Sequence, residues 1–176
     1  MRTALSIAGA VILVLTAAGT ALAQGSGAEA RLKQLNITLP ADQAPAANFV
    51  NSVQAGKLLF LSGNTPGGQW PLKGKVGKDL TIEQGYESAR QTGLIMLGKI
   101  RTALGSLDRV KRVVKVLGMV NSADGFSDQP KVVNGFSDLM VEVFGEAIGK
   151  HARSAVGMAG LPGNAPVEVE MIVEVE

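Results

Sequence analysis

The sequence predicts an α+β fold in which a mixed β-sheet carries two helices on one face. The segment 167–176 alternates apolar side chains with mostly acidic ones, which is typical of a strand with one buried face. Two long segments, 81–104 and 127–144, have apolar residues at helical spacing, and they alternate along the chain with strand-like runs. Helices distributed in this way bury their apolar sides against a sheet.

The first 23 residues are typical of a secretory signal peptide. Arg2 is followed by an uncharged apolar run and then by Ala21-Leu22-Ala23, a small-x-small cleavage site. The alternative is an uncleaved membrane anchor, because the uncharged stretch is long enough to span a bilayer. We expect cleavage between Ala23 and Gln24, an exported protein that is periplasmic or secreted, and no stable membrane insertion after cleavage.

Composition excludes several classes of site. The chain has no cysteine, which rules out disulfides and thiolate metal sites, and a single histidine, which argues against a histidine-rich zinc site or a catalytic triad. Basic and acidic residues number 17 and 15. The densest basic run, 109–115, lies in an apolar strand without nearby aromatic side chains, so no nucleic-acid binding is expected.

The mature chain begins with a lead-in, residues 24–48, in which 29–35 is predicted to form a short helix. The main domain is predicted to span 49–176 and to begin with a hairpin of strands 49–53 and 58–62, turned at Gly56. The loop 67–78 contains Trp70, which we expect to pack onto the sheet edge or a neighbouring subunit more readily than to cover a ligand.

The first long helix is predicted to begin at Thr81, which forms a capping-box pattern with Gln84, and to end at Gly105. A strand over 108–120 follows, and Pro130 opens the second helix. Turn-forming residues over 160–166 separate the last two strand-like runs, so a terminal hairpin is predicted there.

Arg153 is the candidate ligand-binding residue. The residues that follow it on the same strand face are Ala155, Gly157 and Ala159, which are too small to fill the space beside a guanidinium. Arginine can hold a carboxylate with two parallel hydrogen bonds. Two interpretations stay open: a carboxylate-binding site, or a structural ion pair with the acidic face of the last strand. His151 is interpreted as structural more readily than catalytic.

Several motifs resemble those of the RidA/YjgF family of small trimeric proteins. The first is Ala152-Arg153-Ser154, then Val156, Leu161-Pro162 and the Val-Glu-Val-Glu run at 167–170; others are the apolar strand ending in Ser62-Gly63-x-x-Pro66 and the pair Val133-Asn134. The resemblance covers nearly all of the mature chain. It implies the YjgF/chorismate-mutase-like fold, a homotrimer with sites between subunits, and hydrolysis of reactive 2-imino and enamine acids to 2-oxo acids and ammonia.

The same resemblance implies roles for individual residues. Arg153 would hold the substrate carboxylate, with the backbone at Ala155 fixing its orientation, and Glu168 would activate the attacking water. Asn134, Phe49 and Ser62 would line the pocket, with no metal or organic cofactor required. Phe49 departs from the family pattern, in which many deaminating members carry a tyrosine.

The predicted terminal hairpin places the two main candidate residues, Arg153 and Glu168, far apart. Direct pairing around the loop 160–166 places Glu168 opposite Met158, and Arg153 then lies roughly 17 Å further along. Glu168 and Arg153 could therefore share a small substrate only across a subunit boundary. The alternatives to a deaminase are a trimeric binding protein without turnover, favoured by Phe49 and by export, and an endoribonuclease, which neither the charge pattern nor a histidine pair supports.

Overall fold

A five-stranded sheet forms the centre of the computed structural model, which describes residues 27–176. The spatial order is β1-β2-β5-β3-β4, and all neighbours are antiparallel except β3 and β4. The strands are β1 (Ser52–Ala55), β2 (Leu58–Asn64), β3 (Val110–Asn121), β4 (Ala152–Met158) and β5 (Val167–Val175). The prediction of an α+β fold with a mixed sheet is confirmed, as is the first hairpin, where Gly56 turns the chain with φ of 60°.

The predicted terminal hairpin is wrong. β4 and β5 do not pair with each other, because β3 lies between them and pairs with both. β3 and β4 are parallel, and a parallel pair requires a crossover connection of a dozen or more residues, which the intervening helix supplies. The loop 159–166 carries the chain past the end of β3 to its other side. Met158 therefore lies beside Asn121, not beside Glu168.

The predicted helices are confirmed. They are α1 (Ala28–Gln34), α2 (Ile82–Leu104) and α3 (Gln129–Phe144). A further short helix, α4 (Glu146–Gly149), was not predicted. Thr81 and Gln84 form the capping box at the start of α2, and Gly105 ends α2 in the left-handed conformation. α3 begins with Pro130 in its first turn. The buried sides of α2 and α3 supply much of the core, including Met96, Leu97, Phe136 and Met140.

Glycines allow the helices to lie close together and close to the sheet. A β-carbon on Gly135 of α3 would overlap the backbone carbonyl of Tyr86 on α2, and one on Gly118 of β3 would overlap the side chain of Val133. The close approach at Gly118 brings α3 against the sheet beside β4. It thereby places Asn134, the residue after Val133, near the edge strand.

The two faces of the sheet differ in character. Val116, Val169 and Met171 point toward the helices and are buried. The opposite side, which we call the helix-free face, has exposed apolar side chains from three strands: Val53, Phe60, Val156 and Met158. Alternation along β5 therefore buries its valines and places Glu168, Glu170, Ile172 and Glu174 on the helix-free face.

The loop that contains Trp70 packs against a helix. The Trp70 indole nitrogen donates a hydrogen bond of 2.9 Å to Ser88 Oγ on α2. In the same loop region, Lys75 Nζ donates to the carbonyl oxygens of Ser122 and Ala159 and to Asn121 Oδ1. Lys75 therefore ties the loop to the ends of β3 and β4.

The predicted signal peptide, residues 1–23, and its cleavage position lie outside the described residues. Within 27–176, none of the helices combines the length and the apolar character needed to cross a bilayer.

Candidate functional site

Arg153 lies on β4, at the edge of the sheet, with its side chain on the helix side. Its position beside Val116 in the parallel pair fixes this direction, because laterally paired residues share a face. The guanidinium donates from Nη1 to Asn134 Oδ1 at 2.9 Å and to Ser137 Oγ at 3.0 Å, both on α3, and makes a longer contact of 3.4 Å from Nη2 to the Pro130 carbonyl. We call Arg153, Asn134 and Ser137 the guanidinium site.

Ala155 follows Arg153 on the same face and packs at the margin of the core. Gly157 comes next, where a β-carbon would crowd the side chains of Gln129 and Ser122. The predicted row of small residues beside Arg153 is therefore present. It leaves the guanidinium half-buried and reachable from solvent.

His151 borders the guanidinium site. Its Nδ1 lies 2.7 Å from the Gly149 carbonyl oxygen and its Nε2 lies 3.0 Å from Ser137 Oγ. Burial lowers the pKa of His151, and the charge of Arg153 lowers it further, against the opposing effect of the Gly149 hydrogen bond. The imidazole is therefore held in its neutral form near pH 7.

Glu168 lies on the helix-free face, half-buried beside β2. A β-carbon on Gly63 would overlap Glu168 Oε1, so the carboxylate occupies space that exists because residue 63 has no side chain. We call Glu168 and Gly63 the carboxylate site. Burial raises the pKa of Glu168, and the neighbouring charge of Glu170 raises it further. A carboxylate with a raised pKa accepts a proton more readily than an ordinary glutamate.

Phe49 and Ser62 lie on the same side of the sheet as the carboxylate site. They line a depression of about 440 Å³ on the helix-free face together with Phe60, Leu117 and Glu170. Ser62 Oγ donates a hydrogen bond of 2.7 Å to the Val50 carbonyl, which holds the segment before β1 against β2. Phe49 itself is 56% exposed, an unusual degree for an aromatic side chain without a hydroxyl group.

Within one chain the guanidinium and carboxylate sites lie on opposite faces of the sheet. Glu168 pairs with Met119 of β3, which is paired in turn with Val156 of β4. Glu168 on β5 is therefore separated from Val156 on β4 by two strand spacings, about 10 Å. Arg153 lies three residues before Val156, which is about 10 Å further along the strand. Because Arg153 also points to the other face, the two side chains cannot contact one small molecule within a subunit.

The ion-pair interpretation of Arg153 is wrong within a subunit. All of its hydrogen-bond partners among residues 27–176 are neutral: an amide oxygen, a hydroxyl group and a backbone carbonyl. The acidic side chains of β5 lie on the other face of the sheet. The positive charge of Arg153 is therefore available to an external anion.

The arrangement can bind a small carboxylate and transfer a proton. The two short bonds to α3 engage Nη1 of Arg153, and Nη2 makes only the longer 3.4 Å contact to the Pro130 carbonyl, so donors on Nε and Nη2 remain for a bidentate anion. Glu168 supplies a carboxylate suited to act as a base. In the part of the chain that the structure describes, no group of three or more metal-ligating side chains is placed to hold a metal ion.

Sequence reasoning did not identify Ser137, the link through Ser137 to His151, or the role of Gly63. Ser137 follows Asn134 by three residues, so both lie on one side of α3, and this spacing is a signal that could have identified it. Gly63 belongs to the Ser-Gly-x-x-Pro motif, but its function depends on a contact with a residue 105 positions later (168 minus 63). Such a contact has no local signature.

Comparison with known proteins finds similar chains. Protein TCP17 of Trypanosoma cruzi is 48% identical over 149 residues, covering 82% of this chain and 92% of that protein. A 2-iminobutanoate/2-iminopropanoate deaminase of Dermatophagoides farinae is 29% identical over 140 residues, covering 80% of this chain and 95% of that protein. The crystal structure of Atu1372, a protein of unknown function from Agrobacterium tumefaciens, matches with a TM-score of 0.76 and 40% identity, covering 84% of this chain and 91% of that chain.

A family model described as "YjgF/chorismate mutase-like, putative endoribonuclease" matches residues 29–175, which is almost the whole described part of the chain. The match includes every residue of the guanidinium and carboxylate sites. The prediction drawn from the sequence motifs is confirmed, and this protein belongs to the RidA/YjgF family.

Proposed function

We propose that the protein is a RidA-like deaminase that hydrolyses small 2-imino and enamine acids to 2-oxo acids and ammonia. The observation that carries the proposal is the guanidinium of Arg153, which is held by neutral partners at the edge of the sheet and keeps its charge for a carboxylate. The deaminase from Dermatophagoides farinae supports the reaction class, because it aligns over most of both chains.

The reaction needs a fixed carboxylate, a water molecule and a base. Arg153 binds the substrate carboxylate and so fixes the imine carbon. Glu168 accepts a proton from water as the oxygen forms a bond to that carbon, giving a carbinolamine. That proton passes from Glu168 to the nitrogen. As the carbinolamine breaks down, Glu168 takes the hydroxyl proton and delivers it to the nitrogen, while the carbonyl bond forms and the carbon–nitrogen bond breaks. Ammonia therefore leaves with the 2-oxo acid as the other product. The overall change consumes one water and needs no oxidant.

In this proposal each site is shared between two subunits of a homotrimer, with Arg153 from one and Glu168 from the next. Their location on opposite faces of one sheet supports the sharing, because a single chain cannot bring them to one substrate. The exposed apolar side chains of the helix-free face also support assembly, since large apolar patches on a protein surface commonly mark interfaces. Phe49 and Ser62 would line the cleft beside Glu168, and Asn134 and Ala155 would line it beside Arg153.

We also propose that the protein is exported by its first 23 residues, with the mature chain beginning at Gln24. Expression of the full chain in a bacterium and mass determination of the secreted or periplasmic product test this proposal. A product that retains residues 1–23 and stays with the membrane fraction would contradict it.

The test of the reaction uses 2-iminopropanoate generated by an amino-acid oxidase, with its loss compared with the protein-free rate. Arg153→Ala should lower kcat/KM by about 10- to 100-fold, because a charge-assisted hydrogen bond to the carboxylate is lost. Glu168→Gln should lower it by about 100-fold or more, because the base is lost while the side-chain shape is kept.

Glu174→Gln is the matched control, because Glu174 lies on the same strand and face as Glu168 but near the opposite end of β5. It should retain the wild-type rate. Equal rates in wild type, Arg153→Ala and Glu168→Gln would refute the enzymatic proposal.

The second candidate is a trimeric protein that binds small carboxylates without turnover, and Phe49 favours it. Phenylalanine keeps the ring but cannot donate the hydrogen bond that a tyrosine offers to substrate or water. Calorimetric titration with 2-oxobutanoate separates the two candidates, since binding that depends on Arg153 without imine hydrolysis supports this one. A Phe49→Tyr variant with increased hydrolysis would show that the missing hydroxyl limits the reaction.

A further inference from the structure

The guanidinium site continues into a chain of hydrogen bonds that the proposed reaction does not use. It runs from Arg153 Nη1 to Ser137 Oγ, from Ser137 to His151 Nε2, and from the other ring nitrogen of His151 to the Gly149 carbonyl. Its three distances are 3.0, 3.0 and 2.7 Å. Three segments take part: β4, α3, and the end of α4 with the turn that follows it.

The direction of each hydrogen bond follows from the chemistry of its ends. A carbonyl oxygen only accepts, so Nδ1 of His151 carries the hydrogen that meets Gly149. In a neutral imidazole the other nitrogen, Nε2, is then an acceptor, and Ser137 must donate to it. The hydroxyl oxygen of Ser137 therefore has its lone pairs free to accept from Arg153, which can only donate.

The far end of this chain is rigid. A β-carbon on Gly149 would overlap the backbone of α3 at Met140, so the end of α4 lies directly against that helix. The Gly149 carbonyl is consequently fixed relative to α3, and the hydrogen bond to Nδ1 fixes the ring. A hydrogen-bond partner that is itself held in place orients a functional side chain more precisely than solvent does.

We propose that His151 is a positioning residue that acts through Ser137 to hold Arg153 in the orientation that receives a substrate carboxylate. The proposal rests on the proposed function of Arg153 and assigns to the only histidine of the chain a role beyond packing. His151 does not touch the substrate in this scheme. It fixes the Ser137 hydroxyl so that Nη1 of Arg153 is held by α3 while donors on Nε and Nη2 remain for the anion.

The first arm of the test measures the tautomer of His151. With a purification tag that lacks histidine, all imidazole signals in a long-range proton–nitrogen NMR spectrum belong to this residue. The spectrum at pH 7 should show a neutral ring with the hydrogen on Nδ1. A ring protonated on Nε2, alone or as an imidazolium, could not accept from Ser137 and would overturn the proposal.

The second arm measures carboxylate binding and turnover in Ser137→Ala, Ser137→Thr and His151→Phe. Ser137→Ala and His151→Phe should weaken 2-oxobutanoate binding and raise KM by about tenfold, with kcat within about twofold of wild type, because an orienting hydrogen bond is lost while the base is intact. Ser137→Thr keeps the hydroxyl and should restore the wild-type affinity. Circular dichroism and light scattering serve as controls, to check that each variant keeps its fold and its assembly.

The outcomes separate this proposal from the function on which it rests. If wild type binds the carboxylate and Arg153→Ala does not, the function of Arg153 stands. Equal affinities in wild type, Ser137→Ala and Ser137→Thr would then overturn the positioning role alone. If wild type and Arg153→Ala bind equally poorly, the proposed function fails and the positioning role fails with it.

Discussion

At the residue scale, Gly63 and Glu168 show how the absence of a side chain can define a site. The carboxylate of Glu168 fills the space where a β-carbon of residue 63 would lie, and Gly63 does not need the left-handed backbone conformation that usually selects glycine. Glycine is required there for its small size. The carboxylate is consequently pressed against β2, half-buried, and this burial raises its pKa.

A Gly63→Ala substitution should impair activity without unfolding the protein. The new methyl group would displace the Glu168 carboxylate, which is the end of a flexible side chain and can move aside at little cost to the fold. We expect kcat/KM to fall by about tenfold or more with the melting temperature almost unchanged, since misplaced catalytic groups lose much of their effect. Gly68→Ala is the control, because a β-carbon there meets no other atom. Full activity in Gly63→Ala would contradict this assignment of Glu168.

The raised pKa of Glu168 predicts the pH dependence of the reaction. The base must be ionised, so the acidic limb of kcat/KM should lie above the ordinary glutamate pKa of 4.5, and Glu168→Gln should remove the limb together with most of the activity. A limb at or below 4.5 in the wild type would show that Glu168 is not the base.

The same pKa predicts the pH dependence of stability. Between pH 4.5 and the raised pKa, the folded protein binds more protons at Glu168 than the unfolded chain does, so the free energy of unfolding should fall as pH rises through that window. Glu168→Gln should therefore be more stable than wild type above the window and equal to it below. Denaturant titrations at several pH values measure this difference, and wild type gaining stability relative to Glu168→Gln as pH rises would contradict it.

At the element scale, the position of α3 decides the geometry of the guanidinium site. α3 connects β3 to β4 and carries Asn134 and Ser137, so the helix that makes the parallel pairing possible also supplies the partners of Arg153. Two glycines set the position of α3. Gly118 of β3 lets the helix approach the sheet, and Gly135 of α3 lets it approach α2. A change in the packing of α3 is therefore expected to alter the site.

Gly135→Ala should destabilise the protein. Alanine favours an isolated helix over glycine by about 1 kcal/mol, but here the methyl group would overlap the Tyr86 carbonyl, a backbone atom of α2 that cannot rotate away. Overpacking of this kind costs about 1–3 kcal/mol and should exceed the gain from propensity. Gly160→Ala, in a loop where a β-carbon meets nothing, is the control. Urea unfolding measures both variants, and a Gly135→Ala variant as stable as wild type would refute the close-contact explanation.

At the scale of the whole molecule, the sheet is covered by helices on one side and exposes apolar side chains on the other. The helix-free face contains two features: the carboxylate of Glu168, and the depression that is lined by Phe49 and Ser62. Arg153 lies at the sheet edge on the helix side. A second copy of the chain that covered the helix-free face could bury the apolar residues and bring its Arg153 to the first copy's Glu168. Assembly and catalysis would then depend on the same surface.

Phe60→Glu should therefore convert a trimer to a monomer and abolish hydrolysis, although Phe60 belongs to neither the guanidinium site nor the carboxylate site. Phe60 is 41% exposed on the helix-free face, and a carboxylate there would have to be buried unpaired in an interface. Leu35→Glu is the matched control, because Leu35 is 40% exposed but lies at the end of α1. Light scattering measures the mass of each variant. An active Phe60→Glu trimer would contradict the proposed interface.

The sequence alone determined the features that depend on near neighbours. The capping box at Thr81, the turn at Gly56 and the alternation along β5 are local patterns, and each has a physical consequence within a few residues. Arg153, Asn134 and Glu168 were predicted as site residues from motifs that are equally local. The family was therefore predictable before any tertiary structure was known.

Only the tertiary structure decided which strands are neighbours and which side chains meet. The residues of loop 159–166 are compatible with a hairpin and equally with a connection that crosses to the other side of β3. Which strands pair depends on hydrogen bonds between distant parts of the chain, and these leave no local sequence pattern. The insertion of β3 between β4 and β5, the contact of Gly63 with Glu168, and the link from Arg153 through Ser137 to His151 all depend on that choice. Each joins residues that packing, not sequence proximity, brings together.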